Sequence, residues 1–246
     1  MSARTPFAPL LQELSRFGSA QFVRQVPRDH RADPRQLRRR QVVVALTLLV
    51  GTVFLAWSLR SEPGSASFYG AATALAITWT AGSFASGPLH LGWANTRSGD
   101  RYVRPVLQPV LVALGVIALF MVGALVAARI PVLSASVDAV LDHARLGILP
   151  LVVALALVNG VAEELFFRGA LYSATPWRPV LVTTVVYTLT TIATGSLGLV
   201  LAAAVLGWVV GLQRRVSGGI LAPVLIHCTW SLGMLLVLPA MMDRAA

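Results

Sequence analysis

From Gln41 onward the chain is a succession of long apolar stretches divided by short breaks of polar residues, glycine and proline. Seven can be delimited, at about 41–59, 67–87, 105–128, 147–167, 178–194, 196–213 and 219–240. Each is near the roughly 20 residues a helix needs to cross a hydrocarbon core. Only helices or closed barrels satisfy their backbone groups in lipid, and continuous apolar runs without strict alternation select the helix. The pattern therefore predicts an all-α polytopic transmembrane bundle of about seven spans. The fifth and sixth stretches are parted only by ATGSLG, which predicts a tight hairpin. Ahead of the first span, Phe7 to Phe22 predicts a short amphipathic helix with Leu10, Leu11, Leu14 and Phe17 on one face. The polar run VPRDHRADPRQLRRR then reads as a surface linker. This divides the chain into a segment 1–40, a three-span part with an outer loop at 41–146, and a four-span part at 147–246.

Composition supports a membrane protein. Of 246 residues, 56% are hydrophobic and 12% charged, about half the charged share of an ordinary soluble domain. The formal charge of +10 is carried entirely by arginine, and nine of the 20 arginines fall in the first forty positions. An arginine-rich segment beside a first span reads as a cytoplasmic anchor against anionic headgroups, so nucleic acid is not an expected partner. With the N-terminus inside, the inner loops hold Arg97, Arg101 and Arg104, then Arg178, then Arg214 and Arg215. The outer loops balance Arg60 with Glu62, and Arg129 and Arg145 with Asp138 and Asp142. This satisfies the positive-inside rule and predicts a multi-pass protein of a plasma membrane, with the arginine bias and compact architecture pointing to a bacterial one. Cys228 is the single cysteine, which excludes an intrachain disulfide and a cysteine metal cluster. No uninterrupted apolar stretch of signal-peptide type precedes Gln41.

Polar residues left at membrane depth are few: Asn159, Glu163, Glu164, Arg168, Tyr187, Thr190, Thr191, His227 and Ser231. An ionisable group near a helix centre costs at least about 2.5 kcal/mol, so such groups are functional candidates by default. In NGVAEELFFRGAL, Glu164 and Arg168 are one helical turn apart, the favourable order for a carboxylate and a guanidinium to pair. Glu163 points about 100° away, on the face of Asn159, with no local cation. The spacing thus assigns chemistry to Glu163 and a brace to Glu164 and Arg168. His227 is the one histidine inside a predicted span, since His30, His90 and His143 fall in the tail or loops, and Ser231 follows it by one turn.

These residues resemble the CAAX protease and bacteriocin-processing family of intramembrane proteases, often called CPBP or Abi. Its EExxxR motif, within EELxFRG, is matched by Glu163, Glu164 and Arg168 in EELFFRG. Its last region is similar to LGWVVGLQRRVSGGILAPVLIHCTWS, with His227 in place and Ser231 where an asparagine usually stands. The resemblance covers about Pro150 to Leu238 and implies that 147–246 is a catalytic core. The family's middle motif, FxxxH, is matched only by Tyr187 to Thr191, with threonine in the histidine position.

The resemblance implies an endopeptidase that hydrolyses a peptide bond of a membrane-associated or lipidated protein. Glu163 is expected to activate water, Thr191 to orient it, and His227 with Ser231 to stabilise the oxyanion. Zinc is the metal the family suggests; with Glu163 and His227 as the clear ligands, a three-ligand site is disfavoured and no cofactor is expected. The bilayer and a membrane-bound peptide are the expected partners. Two other readings stay open: a non-catalytic homologue that binds a peptide as scaffold or immunity protein because Thr191 replaces the histidine, and a proton-coupled transporter using Glu163 and His227.

Overall fold

A computed structural model describes residues 8–26, 33–95 and 102–245. Its helices are α1 (Ala8–Phe22), α2 (Pro34–Arg60), α3 (Ala66–Ser86), α4 (Leu107–Ala127), α5 (Pro131–Leu146), α6 (Leu149–Glu164), a π-helical turn (Leu165–Leu171) continuing into α7 (Tyr172–Ala174), then α8 (Pro179–Ile192), α9 (Leu197–Ser217) and α10 (Leu221–Ala245). The short strands β1 (Ala94–Asn95) and β2 (Tyr102–Val103) pair antiparallel in the link between α3 and α4. Each apolar stretch of the sequence lies in a helical element of its own. Among the described residues five helical segments are long and apolar enough to cross a membrane: Pro34–Arg60, Leu107–Ala127, Leu149–Ala174, Leu197–Ser217 and Leu221–Asp243. The chain is an all-α, multi-pass membrane protein. α8 is apolar but has only 14 residues, and α3 is rich in serine and threonine whose hydroxyls bond back to carbonyls one turn earlier, as Thr73, Thr78 and Ser83 do.

Helix starts follow local chemistry. Asp33 caps α2, its carboxylate accepting from the amides of Arg35 and Gln36 at 2.9 Å, with Pro34 in the first helical position. Residues Pro34 to Arg40, read from the sequence as linker, are therefore the opening turns of α2. Buried Arg40 donates to the Pro88 carbonyl at 3.2 Å. The amphipathic helix is present as α1, with Phe7 outside the described residues. It is docked on the bundle: Phe17 and Phe22 pack against the cluster of Val112, Val116, Leu206 and Val210, and Gln213 donates to the Gln21 carbonyl at 2.7 Å. Leu11 and Leu14 stay exposed.

A further difference lies between α4 and α6, where the outer loop folds as α5. The reason was within reach of periodicity. Asp138, Asp142 and Arg145 share a face and join in ion pairs, Arg145 reaching Asp138 at 3.0 Å, Asp142 at 3.3 Å and also Asp243 of α10. His143, expected in a loop, is on α5 and buried, its ring 4.6 Å from that of Phe68.

The connections alternate between two ends of the bundle. At one end the Ile148 amide donates to the Tyr69 hydroxyl and Ser136 meets Ser196. At the other, the backbone of Ser217–Leu221 bonds to His90, Leu91 and Trp93, and Gly92 lies against Gly219 so closely that a Cβ on either would strike backbone. α8 and α9 form the tight hairpin expected of ATGSLG, turning through Gly195 at φ +80°. The core centres on Trp79 of α3, fully buried, with Phe166 at 4.3 Å and Phe167 at 5.3 Å between ring centroids. Gly51 of α2 admits this indole, since a Cβ there would fall 2.3 Å from the ring. Trp79→Ala is expected to lose about 3–5 kcal/mol of stability, seen as a lowered thermal midpoint in detergent. An unchanged midpoint would mean that α2 and α3 do not depend on this contact.

Candidate active site

α6 carries Asn159 and Glu163 on the wall of a cavity of about 600 Å³. Its other walls come from α2, α3, α4, α5, α9 and α10, and they are mostly aliphatic and aromatic. Glu163, His227 and Ser231 all line it, so the structure brings together three of the residues singled out in the sequence. Polar side chains grouped on an apolar concavity are the usual form of a small binding or catalytic site.

Behind this wall lies a fully enclosed charged cluster. Glu164 and Arg168 both have zero exposure, and Arg168 Nη1 donates to Glu164 Oε1 at 3.2 Å, the pair that the one-turn spacing predicted. Arg168 Nη2 also donates to the Gly207 carbonyl at 3.1 Å, and the guanidinium stacks 4.8 Å from the centroid of the Tyr187 ring. Glycine at 207 is what permits this approach, since a Cβ would lie 3.2 Å from both Arg168 Nη2 and the Tyr187 ring. Arg214 Nε in turn donates to the Arg168 carbonyl at 2.6 Å. The π-helical turn starts directly after Glu164 and contains Arg168. Such wide turns inside α-helices concentrate at functional sites, because they re-aim side chains that a regular helix would leave in register.

Two hydrogen bonds refine the roles read from the sequence. His227 Nδ1 lies 2.7 Å from Glu164 Oε1, so the histidine is oriented by the brace and not by the free carboxylate. With Glu164 as carboxylate, Nδ1 carries the proton, and Nε2 is left for the cavity side of the ring. Glu163 has a partner of its own: the Tyr187 hydroxyl donates to its Oε2 at 2.7 Å. The sequence marks Tyr187 as one of the polar groups at membrane depth and as a tyrosine in a phenylalanine position, but not as the partner of Glu163. The signal was the hydroxyl itself, a polar group on an apolar helix one helix away from a lone carboxylate.

Thr191 is placed otherwise than the resemblance suggests. It is buried, donates to the Tyr187 carbonyl at 2.9 Å, and is not among the residues lining the cavity. Asn159 donates through Nδ2 to the carbonyls of Ala72 at 3.1 Å and Leu155 at 3.0 Å, tying α6 to α3.

Residues 145–233 match the family model described as Type II CAAX prenyl endopeptidase Rce1-like. The match is consistent with the CPBP, or Abi, family. It spans Glu163, Glu164, Arg168, Tyr187, Thr191, His227 and Ser231, and leaves α1 to α4 and all but the end of α5 outside. The description is that of a protease family, and with five apolar crossing helices it speaks for a membrane-embedded one acting on protein. Comparisons with curated proteins and with solved structures gave no match.

The donor set does not make a three-ligand zinc site. Glu164 is committed to Arg168 and His227, which leaves Glu163 and the second imidazole nitrogen of His227, and His143, also on the cavity wall, does not group with them. Among the described residues no three histidine, cysteine, aspartate or glutamate side chains converge.

Tyr187→Phe tests the Glu163 contact. A hydrogen bond to a charged group is worth about 1.5–3 kcal/mol, so peptide turnover is expected to fall about 10- to 100-fold with the fold intact. Equal rates in the two proteins would remove Tyr187 from the site.

Proposed function

We propose that the protein is an intramembrane endopeptidase that hydrolyses a peptide bond of a membrane-associated protein without a metal. The observation that carries this reading is the presence of two prepared groups on the walls of one cavity: Glu163, held through one oxygen by Tyr187, and His227, held through Nδ1 by Glu164. In the proposed reaction the second oxygen of Glu163 takes a proton from water as the water oxygen attacks the scissile carbonyl carbon. Negative charge on the carbonyl oxygen is met by the Nε2 proton of imidazolium His227 and by the Ser231 hydroxyl. The C–N bond then breaks, with the proton on Glu163 passing to the leaving amine. Buried Glu164 and Arg168 keep the imidazole in place and do not touch the substrate.

The topology proposed with it has seven spans, including α3 and α8, in a bacterial plasma membrane. The N-terminus and the arginine-bearing links lie on the cytoplasmic side. Short α8 reaches across only part of the bilayer and is shielded by its pairing with α9.

A second reading has its own observation. The Thr191 hydroxyl is spent on a backbone carbonyl, and no histidine stands where the middle motif has one. The protein would then hold a peptide in the cavity without cutting it, as a scaffold or immunity protein. Incubation of the protein in liposomes with a pool of membrane-anchored peptides in ¹⁸O-water decides between the two. Hydrolysis places one ¹⁸O in each new carboxylate, read by mass spectrometry. Bound but uncut peptides would favour the scaffold.

A further inference from the structure

The cavity extends well beyond the two prepared groups. On α6 its wall runs from Glu163 back to Val152, and on α10 from His227 on to Leu238. Both faces are about 16 Å long at the rise of an α-helix. Glu163 and His227 lie at one end of this space, and the other end is where α2 finishes and α9 begins, marked by Ser58 and Ser196. Toward that end the cavity has an open side. Leu119 and Val126 of α4 and Leu201 and Val205 of α9 line it, yet they are 40% to 59% exposed. Val126 is next to the last residue of α4 and Leu201 is one turn into α9, so the opening lies in the half of the bundle away from the arginine-bearing links. Deeper in, Val116 and Leu206 of the same two helices belong to one core cluster, which closes the gap.

Size and wall chemistry select the occupant. A helical segment about 16 Å long and 10 Å across needs roughly twice the cavity's 600 Å³. An extended peptide brings backbone N–H and C=O groups that must be paired in so apolar a space. Away from the catalytic end the walls offer them little. Ser58 donates to the Leu55 carbonyl, Ser196 is paired with Ser136, Asn159 donates to two carbonyls, and the ring nitrogens of His143 and Trp230 are enclosed. A single alkyl chain needs no hydrogen-bond partner. One leaflet of a hydrocarbon core is about 15 Å deep, the depth that one acyl chain spans and close to the length of these walls.

We propose that the cavity is a lipid site, which takes one acyl chain of a bilayer phospholipid through the opening between α4 and α9. With the arginine-bearing links on the cytoplasmic side, the lipid belongs to the outer leaflet. Its chain enters from that half directly, whereas a chain carried by a substrate at the catalytic end would have to be threaded past Glu163 and His227. The site goes beyond the endopeptidase reading and does not need it, since a protein that never cuts would hold the chain as well.

Photolabelling tests it. The protein is placed in liposomes of phosphatidylcholine with a trace of phosphatidylcholine that carries a diazirine midway along one acyl chain, and after irradiation the label is mapped by mass spectrometry. Val152, Ala202 and Met234 line the cavity and are buried, so a bilayer chain reaches them only from within it. All three are expected to be labelled. Gly123 of α4 also lines the cavity, and a Cβ there meets nothing within 4 Å. Gly123→Phe therefore fills the opening without striking the protein, and is expected to cut the inner label about tenfold, as overfilling a close-packed space by one side chain does. Gly115→Phe, on the same helix with equally open surroundings but off the cavity, should leave that label unchanged. Label confined to the lipid-facing Leu114 and Leu125 would overturn the proposal. So would equal inner label in Gly123→Phe and wild type. Inner label that comes only from a peptide anchored by the same diazirine chain, and not from the phospholipid, would overturn it too and make the cavity a substrate site.

Discussion

Glu163→Gln is expected to lower peptide cleavage by about 10²- to 10⁴-fold, the range a positioned general base contributes, while the protein folds and binds peptide as before. Glutamine keeps the size of the side chain and an oxygen able to accept from the Tyr187 hydroxyl, so the contact at 2.7 Å can survive. What it removes is the oxygen able to take a proton from water. Glu163 is half-buried on a cavity wall, and its replacement by a neutral group leaves no buried charge unpaired. Single-turnover rates on a membrane-anchored peptide, with the thermal midpoint measured in parallel, separate the two effects. A small loss of rate would assign the base elsewhere; a collapse of the midpoint would make Glu163 structural.

Arg168→Met is expected to act in the opposite manner, on the fold first. Glu164 and Arg168 have no exposure, and removing one partner leaves a carboxylate enclosed with only His227 beside it. Breaking a buried pair from one side costs about 3–5 kcal/mol, a large part of the margin by which most domains are stable. Arg168→Met combined with Glu164→Leu is expected to recover much of that stability, because an apolar pair of similar volume often replaces a buried ion pair without loss. Activity is not expected to return, since His227 Nδ1 then has no acceptor. The thermal midpoints of the two single variants and the double variant form a cycle that measures the coupling. Equal midpoints for Arg168→Met and wild type would mean that the cluster braces nothing.

The sequence carried the local part of this site and missed the parts made across helices. The Glu164–Arg168 pair was legible because partners one turn apart meet by helix geometry alone. Glu163 as the second, differently directed carboxylate followed from the same geometry. The bond between His227 and Glu164 joins α10 to α6, and nothing in either segment says which of two adjacent glutamates will face the imidazole. Tyr187 stood among the polar groups at membrane depth, yet its register against Glu163 depends on how α8 packs beside the π-helical turn, which itself has no sequence signature here. α5 was passed over because its charges resemble a loop, although Asp138, Asp142 and Arg145 keep helical spacing. That omission hid His143, which reaches the cavity only because α5 folds against α3 and α6. The apolar stretches were read correctly as helices because burial in lipid leaves the backbone little alternative.

The most direct test of a metal-free peptidase that works without the middle-motif histidine compares wild type with Thr191→His and Glu163→Ala, in liposomes, against one pool of membrane-anchored peptides read by mass spectrometry. Wild type is expected to cut, Glu163→Ala to leave the pool intact, and wild-type cleavage to persist in the presence of a strong chelator. Cleavage by Thr191→His alone would contradict this account and identify the native protein as a disarmed relative that binds peptides without hydrolysing them.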